Sequence, residues 1–485
     1  MPQTQDRKWI ALLLLCMTQF MVVLDIAIVN VALPTIKDAL NFGETSLSWV
    51  INAYTLTFGG LLMLGGRSAD LLGRRRMFLG GLALFSGASL VCGLSTSETM
   101  LIAARAVQGI GAAIISPAAL SILTTTFEEG AERNKALGIW GAVAGTGGAA
   151  GVLLGGILTD QLNWSWIFYI NVPVGLLVIA LGPRILRESR VEAGTKAFDF
   201  LGAALVTGGL SLLVYALVQT VDHSWTAPLT IAEFAGAAVL LAGFLATEAR
   251  AHQPLMPLRL FRNRSLSGAN VVGLMLGASI FSMFFLLTLY MQQVLGYSAL
   301  KTGVGYLLVS GVIIVSAALS QALVTKIGVR TVLATGMALL VAGLVYFSQI
   351  SVDGSYLVDL APGFVLTGVG LGFSFVPVTI AALVGVEQAE AGVASGIINT
   401  SQQVGGALGT AILSTVAFTR VSDYLTSHAP AQDLLLRADV DGFSVAFLVG
   451  AILAAAGLLA TLTMVPRGVA PEQVAAQEAT EPAAA

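Results

Sequence analysis

Residues 9–33 read WIALLLLCMTQFMVVLDIAIVNVAL, an unbroken apolar run with one charge, Asp25, and this run decides the fold. A helix that crosses the hydrocarbon of a bilayer needs about 20 such residues, each adding about 1.5 Å. Arg7 and Lys8 precede the run and no small-residue cleavage site follows it, so it reads as a retained first span rather than a signal peptide. A charge at mid-span costs on the order of 2.5–3.5 kcal/mol on insertion scales, which makes Asp25 a candidate functional residue by its position alone.

Further apolar runs follow at 47–66, 77–97, 100–124, 136–158, 165–186, 199–220, 229–247, 266–291, 302–324, 331–350, 357–384, 394–418 and 442–465. With 56% hydrophobic and 11% charged residues, the 485-residue chain cannot be a set of soluble domains. The fold class is all-α: a polytopic membrane protein with 14 transmembrane helices. Alternating the loops puts 19 of the 24 Lys and Arg on one side of the membrane and four on the other, with Arg105 alone inside a span. Lys and Arg concentrate in cytoplasmic loops, so both termini are expected in the cytoplasm. Residues 467–485 are rich in Ala, Glu, Gln and Pro without apolar periodicity and read as a disordered cytoplasmic tail.

The spans repeat at an offset of about 255–260 residues. Gly66-Arg67-Ser68-Ala69-Asp70-Leu71-Leu72-Gly73-Arg74-Arg75, after span two, has a worn counterpart in Gln321-Ala322-Leu323-Val324-Thr325-Lys326-Ile327-Gly328-Val329-Arg330, after span ten. Gly109, Gly111 and Pro117 of span four likewise answer to Gly368, Gly370 and Pro377 of span twelve, and Gly138 and Gly148 of span five to Gly396 and Gly406 of span thirteen. The expected domains are a six-helix bundle at 1–190, an inserted pair of helices with flanking loops at 191–264, and a second six-helix bundle at 265–466. Two parallel halves with a site between them near the midplane form a transporter layout, in which rocking one half against the other gives alternating access.

Other chemistries find no support. There is no Gly-x-x-x-x-Gly-Lys-Ser/Thr loop for ATP, and His223, His252 and His428 lie in loops without metal-ligand spacing. No Ser/His/Asp set can be assembled within the membrane, so the chain does not read as an enzyme. Cys16 and Cys92 both fall in apolar runs and read as small buried hydrophobes. No metal, cofactor or nucleic acid is expected. An ion gradient remains as the energy source, worth about 2.3 kcal/mol per charge per 100 mV.

Five stretches in order resemble the major facilitator superfamily and, within it, the fourteen-helix drug:proton antiporters. They are Leu24-Asp25-Ile26-Ala27-Ile28-Val29-Asn30-Val31-Ala32-Leu33-Pro34, the Gly66–Arg76 loop, Arg105-Ala106-Val107-Gln108-Gly109-Ile110-Gly111, the glycine-rich span five, and Phe168-Tyr169-Ile170-Asn171-Val172-Pro173-Val174-Gly175. The resemblance covers residues 8–466. The chain departs from the pattern where Val152 replaces a proline after Gly151, and where Trp164-Ser165-Trp166 replaces Trp-Arg-Trp. The resemblance implies that the Gly66–Arg76 loop (Gly66, Asp70, Gly73, Arg74 and Arg75) is a gate that pairs with helix ends of the other half in one conformation. It also implies that a span as glycine-rich as the fifth marks antiporters.

Span one runs outward and span four inward, so Asp25 and Arg105 both lie roughly 10–13 Å below the outer surface. At matched depth they are expected to lie within reach of each other and to serve proton coupling, with Asp25 exchanging protons and helping to bind substrate while Arg105 tunes its proton affinity. The alternative is a permanent ion pair that only locks the two spans together. For the Gly66–Arg76 loop, the alternative to a gate is a topology anchor. Gly147, Gly151 and Gly155, spaced by four, with Gly156 beside them, bare one face of span five for close helix packing or for bending. Candidate substrate contacts are Gln19, Asn30, Asn52, Tyr54 and Gln108 in the first half, and Phe281, Phe285, Tyr290, Gln292, Asn399, Gln402 and Gln403 in the second, since drug sites are apolar with a few polar groups.

The expected protein is a monomeric exporter in a bacterial cell membrane that exchanges protons for amphipathic drugs or antibiotics. Its alternatives are a dedicated exporter of an endogenous metabolite and a non-transporting receptor on the same fold. Orientation is directly testable. A reporter enzyme active only outside the cytoplasm is expected to be silent when fused after Arg467 and active when inserted after Lys301; the reverse pattern would overturn the topology.

Overall fold

The computed structural model describes residues 5–43, 46–127, 131–189, 199–221, 223–251, 254–386, 390–429 and 433–467. The expected tail beyond Arg467 and His252 lie outside the described residues. The helices of spanning length are α1 (Gln5–Leu40), α2 (Trp49–Leu72), α3 (Arg74–Gly93), α4 (Glu98–Thr126), α5 (Ala131–Gln161), α6 (Trp166–Ile185), α7 (Phe200–Gln219), α8 (Pro228–Arg250), α9 (Arg264–Leu289), α10 (Ala299–Ile327), α11 (Val329–Phe347), α12 (Tyr356–Leu383), α13 (Ala391–Ser427) and α14 (Leu434–Met464). Among the described residues thirteen are long and apolar enough to cross a membrane, and α5 is the remaining helix of spanning length. No strand occurs among the described residues. Several helices overrun the apolar runs that announce them: α1 reaches Leu40 through Pro34, and α13 spans 37 residues where the apolar run covers 394–418.

Packing groups α1–α6 in one bundle and α9–α14 in another. Between the bundles the main contacts are α5 with α10 and α2 with α13. If α1–α6 answer in order to α9–α14, these two contacts exchange places, which is what a two-fold relation between the halves requires. The turns agree. Gly73 joins α2 to α3 at φ 112° and Gly328 joins α10 to α11 at φ 85°, a region open to glycine and strained for other residues. Beside the first, Arg75 Nη1 donates to the carbonyls of Pro183 and Leu186 at the end of α6, each at 3.2 Å. Beside the second, Arg330 donates to the Leu462 carbonyl near the end of α14. These two turns mark the Gly73 face; residues 41–43, 46–48, 162–165 and 295–298 lie at the opposite face.

The inserted helices α7 and α8 pack on each other, and α7 also touches α2 and α13, one helix from each bundle. Thr415 Oγ1 of α13 donates to the Leu217 carbonyl of α7 at 3.0 Å, and the rings of Trp49 and Tyr215 lie 6.3 Å apart.

The bare face of α5 lies against α1. A Cβ on Gly151 would meet Ala27 Cβ at 2.8 Å and Leu24 O at 2.9 Å, and one on Gly155 would meet Ile28 O at 2.9 Å. Gly147 faces Phe20 O and Val23 at 3.3 Å. Gly156 turns instead to the other bundle, 2.7 Å from Ala299 O and Leu300 Cα by the same construction, so one helix makes close approaches on two sides. Packing of this kind drives association between apolar helices in lipid, where burial supplies no force. Gly148, by contrast, has nothing within 4 Å. Gly148→Ala is therefore expected to leave the thermal midpoint of the purified protein unchanged or raised, since Ala favours helix by up to about 1 kcal/mol. Gly151→Ala is expected to lower it, by the equivalent of about 1–3 kcal/mol of overpacking. Equal midpoints would contradict the seam.

Candidate functional site: a closed ionic cluster beside an open cavity

Asp25 and Arg105 meet inside the first bundle. Arg105 Nη1 lies 2.6 Å from Asp25 Oδ2, with the two side chains 2% and 0% exposed. The same nitrogen donates to Gln108 Oε1 at 2.7 Å, and Nε donates to the Val50 carbonyl at the start of α2 at 3.0 Å. The other carboxylate oxygen, Asp25 Oδ1, accepts from Gln108 Nε2 of α4 and from Asn171 Nδ2 of α6, both at 2.8 Å. Ser89 of α3 accepts from the same two amides at 3.2 and 3.0 Å and donates to the Phe168 carbonyl at 2.9 Å. The guanidinium lies over the Tyr54 ring at 4.3 Å, a cation–π contact, and Cys92 Sγ donates weakly to Gln108 Oε1 at 3.7 Å.

Five helices thus converge on one charge pair. As a carboxylate, Asp25 has both oxygens occupied by three strong donors. Each of these donors ties α1 to α4 or to α6, and one acceptor site of the carboxylate, on Oδ2, is left over. Tyr54 Oη and Asn171 Oδ1 are buried nearby without a partner among the described residues. Each carries an unmade bond worth about 1–3 kcal/mol, which another arrangement of these helices can recover.

The second feature is a cavity of about 1130 Å³ between the bundles. Ile26, Phe58, Leu62, Ile280, Phe281, Phe284 and Phe375 give it apolar walls, and Gln19, Asn30, Asn399, Gln402 and Gln403 place amides among them. Gly66, Arg67, Asp70, Ser121, Thr124, Pro254 and Leu255 also line it, so it extends to the Gly73 face.

It ends short of the opposite face, where the bundles close. Asp160, at the end of α5, accepts from the Ala299 and Leu300 amides at 3.1 and 3.0 Å, capping the N-terminus of α10 across the interface. Gln292 Nε2 donates to the Val31 carbonyl at 2.7 Å. A Cβ on Gly303 of α10 would collide with the Val152 carbonyl, so the residue standing where the antiporter pattern has a proline lies in this closed seam.

Of the expected substrate contacts, Gln19, Asn30, Phe281, Asn399, Gln402 and Gln403 line the cavity. Six do not. Asn52 is buried on α2, and Tyr54 and Gln108 are buried around Arg105 in the first bundle. Phe285 and Tyr290 are buried in the second bundle, where Tyr290 Oη donates to the Ser351 carbonyl at 2.8 Å. Gln292 belongs to the closed end. Asp25 is also corrected as a substrate contact: Gln19, Val22, Val23, Ile26 and Asn30 form the cavity stripe of α1, and helical period turns Asp25 away toward α4 and α6.

The Gly66–Arg76 loop is held within its own bundle. Asp70 Oδ1 accepts from Arg74 Nε at 3.0 Å and pairs with its Nη2 at 2.9 Å, while Glu188 accepts from the Arg75 and Arg76 amides at 3.0 and 3.2 Å. Ser121 Oγ of α4 lies 3.5 Å from Asp70 Oδ1. The resemblance implies a pairing with the other bundle, whereas these contacts of Asp70, Arg74, Arg75 and Arg76 stay within the first. Sequence reasoning also missed three residues. Asn171 lies in a quoted motif, but its bond to Asp25 left no mark there. Ser89 gave no signal, and the partners of Asp160 are backbone amides, which have none.

The Major Facilitator Superfamily model matches residues 15–410. A cephamycin export protein of Amycolatopsis lactamdurans is 42% identical over 425 residues, 87% of this chain and 86% of that protein. A puromycin resistance protein of Streptomyces alboniger is 38% identical over 457 residues, 93% of this chain and 90% of that one. Among solved structures, a bacterial homologue of the human lysosomal transporter Spinster, in an inward-facing and unoccupied conformation, aligns with TM-score 0.67 at 15% identity, covering 95% of this chain and 98% of its own, and so shares the fold. With the family model running through both bundles, the chain belongs to the Major Facilitator Superfamily.

Proposed function

We propose that this protein is a secondary active exporter that exchanges protons for an amphipathic antibiotic or drug across a bacterial cell membrane, with both termini in the cytoplasm. The observation that carries the reading is the pairing of a cavity of about 1130 Å³, open to the Gly73 face, with a charge pair sealed beside it in one bundle. A drug-sized ligand occupies a pocket of roughly 300–1,000 Å³, so the space suffices. The excess of Lys and Arg in the loops of the Gly73 face makes that face cytoplasmic, and the cavity then takes substrate from the cytoplasm or inner leaflet. Apolar walls and amides without a permanent charge of their own suit an amphipathic compound. Proton coupling follows from Asp25: when the opposite face opens, α1 shifts against α4 and α6, Asp25 trades a donor for a proton, and Arg105 falls back on Gln108 and the Val50 carbonyl. No cofactor takes part, and the chain works as a monomer.

A dedicated exporter of one metabolite is the second reading. It is favoured by the relatives named for single compounds, cephamycin, puromycin and tetracenomycin C, while another relative is named for multidrug resistance. A panel of antibiotics and fluorescent cations in everted vesicles separates the two, because a single transported compound would select the second.

The same vesicles test coupling. Asp25→Asn keeps the shape of the side chain but removes its charge and its proton. It is expected to lose uphill, protonophore-sensitive transport by more than tenfold while retaining downhill exchange of labelled substrate. Uphill transport by Asp25→Asn at the wild-type rate would overturn the assignment.

A further inference from the structure

Tyr54 and Phe58 stand one turn apart on the same face of α2, and both are buried, at 1% and 7% exposure. Their rings pack with centroids 5.8 Å apart, tilted by 53°. They meet different surroundings. Phe58 lines the cavity, while Tyr54 lies beneath the Arg105 guanidinium at 4.3 Å. One turn before Tyr54, the Val50 carbonyl accepts from Arg105 Nε at 3.0 Å. Three successive turns of α2 thus run from the charge pair to the cavity wall, and Tyr54, expected to touch substrate, stands one ring removed from the cavity.

The backbone under these rings is fixed. Thr57 Oγ1 donates to the Ala106 carbonyl of α4 at 2.9 Å, and a Cβ on Gly109 would meet the Tyr54 carbonyl at 2.4 Å, so α2 and α4 lie in direct contact. A displacement of one ring is therefore passed to the other ring and to Arg105 rather than absorbed by separation of the helices. The Tyr54 hydroxyl has no partner among the described residues, so what this side chain supplies is the negative face of its ring, whose attraction for a guanidinium is strongest where water is excluded. The titratable side chains of the cluster are Asp25 of α1, Tyr54 of α2, Cys92 of α3 and Arg105 of α4. From α6 come Asn171 and the Phe168 ring, 5.8 Å from the guanidinium, and α5 meets α1 through Gly151 and Gly155.

We propose that Tyr54 and Phe58 are positioning residues that tie the protonation of Asp25 to the wall of the cavity. This tie rests on the exporter reading, in which Asp25 takes up the proton, and gives that reading its link to substrate. A compound packed on Phe58 keeps the Tyr54 ring beneath the guanidinium, which keeps Arg105 on Asp25 and opposes protonation. By reciprocity, a proton on Asp25 releases Arg105, loosens both rings and weakens the hold on that compound. Proton and compound thereby exclude each other through Arg105, Tyr54 and Phe58 without sharing a site.

Infrared difference spectroscopy of the purified full-length protein in nanodiscs tests this without measuring transport. The carbonyl band of protonated Asp25 is identified by its absence from Asp25→Asn, and the pH at which half of the band is lost is read in each variant. Tyr54→Phe keeps the ring and is expected to leave that pH within about 0.3 units of the wild type. Tyr54→Leu is expected to raise it by about one unit, the size of a desolvated cation–π contact, because Arg105 then holds the carboxylate less firmly. Phe58→Leu preserves an apolar wall and is expected to raise it by about half a unit, and the double variant by no more than Tyr54→Leu alone, since the two rings act in series. An unchanged value in Phe58→Leu, or shifts that add in the double variant, would overturn the tie; Phe58→Leu and Tyr54→Phe still decide it should Tyr54→Leu fail to fold. A wild type without an Asp25 band at any pH would instead remove the proton-coupling reading, and the tie with it.

Discussion

The contact between Asp25 and Arg105 holds the first bundle to its present arrangement. Removing one member of a buried ion pair costs about 3–5 kcal/mol, because the remaining charge is left unpaired, whereas well-packed apolar residues in place of both are often at least as stable. The pair is thus a poor choice for stability alone, and its neighbours explain its use. It draws in Val50 of α2, Ser89 of α3, Gln108 of α4 and Asn171 of α6, so any change in the charge of Asp25 reaches five helices at once. The opposite side of α1 rests on the glycines of α5 and on the cavity. One helix therefore carries the buried carboxyl on one side and cavity-lining amides on the other.

Closure at the far end has a different physical basis. Asp160 meets the partial positive charge at the N-terminus of α10, and the α5–α10 seam relies on glycines and bare backbone. Such contacts are specific but few, which suits a surface that must separate and reform. At the Gly73 face Arg74 pairs with Asp70, and Arg75 with the end of α6, both inside the first bundle. The repeat makes the geometry reciprocal: α5 with α10 and α2 with α13 are equivalent interfaces, and tightening one is the natural counterpart of loosening the other.

Much of this was legible in the sequence because the bilayer leaves few solutions: apolar length fixes the spans, and alternate loop charge fixes their order. Depth along opposing helices was enough to bring Asp25 and Arg105 together. Helix rotation was not legible. Asp25 and Ile26 are neighbours in sequence and point to different compartments, and Phe281 lines the cavity where Phe285 is packed away, because apolar residues surround these helices on every side and periodicity gives no inner face. Contacts to backbone, such as Asp160 on α10, leave no local pattern at all.

Under the proposed exchange, the two faces open alternately under the control of protonation. Pulsed electron-resonance distances test it most directly, with spin labels at Gln161 and Lys301 across the closed end and, separately, at Leu72 and Val393 across the open end, after Cys16 and Cys92 are replaced. Between alkaline and acidic conditions the account predicts opposite changes: the population at the Gln161–Lys301 pair moves to longer distance while the Leu72–Val393 pair shortens, and Asp25→Asn abolishes the pH response of both. Distances that stay fixed in a protein shown to transport, or that lengthen together, would contradict it.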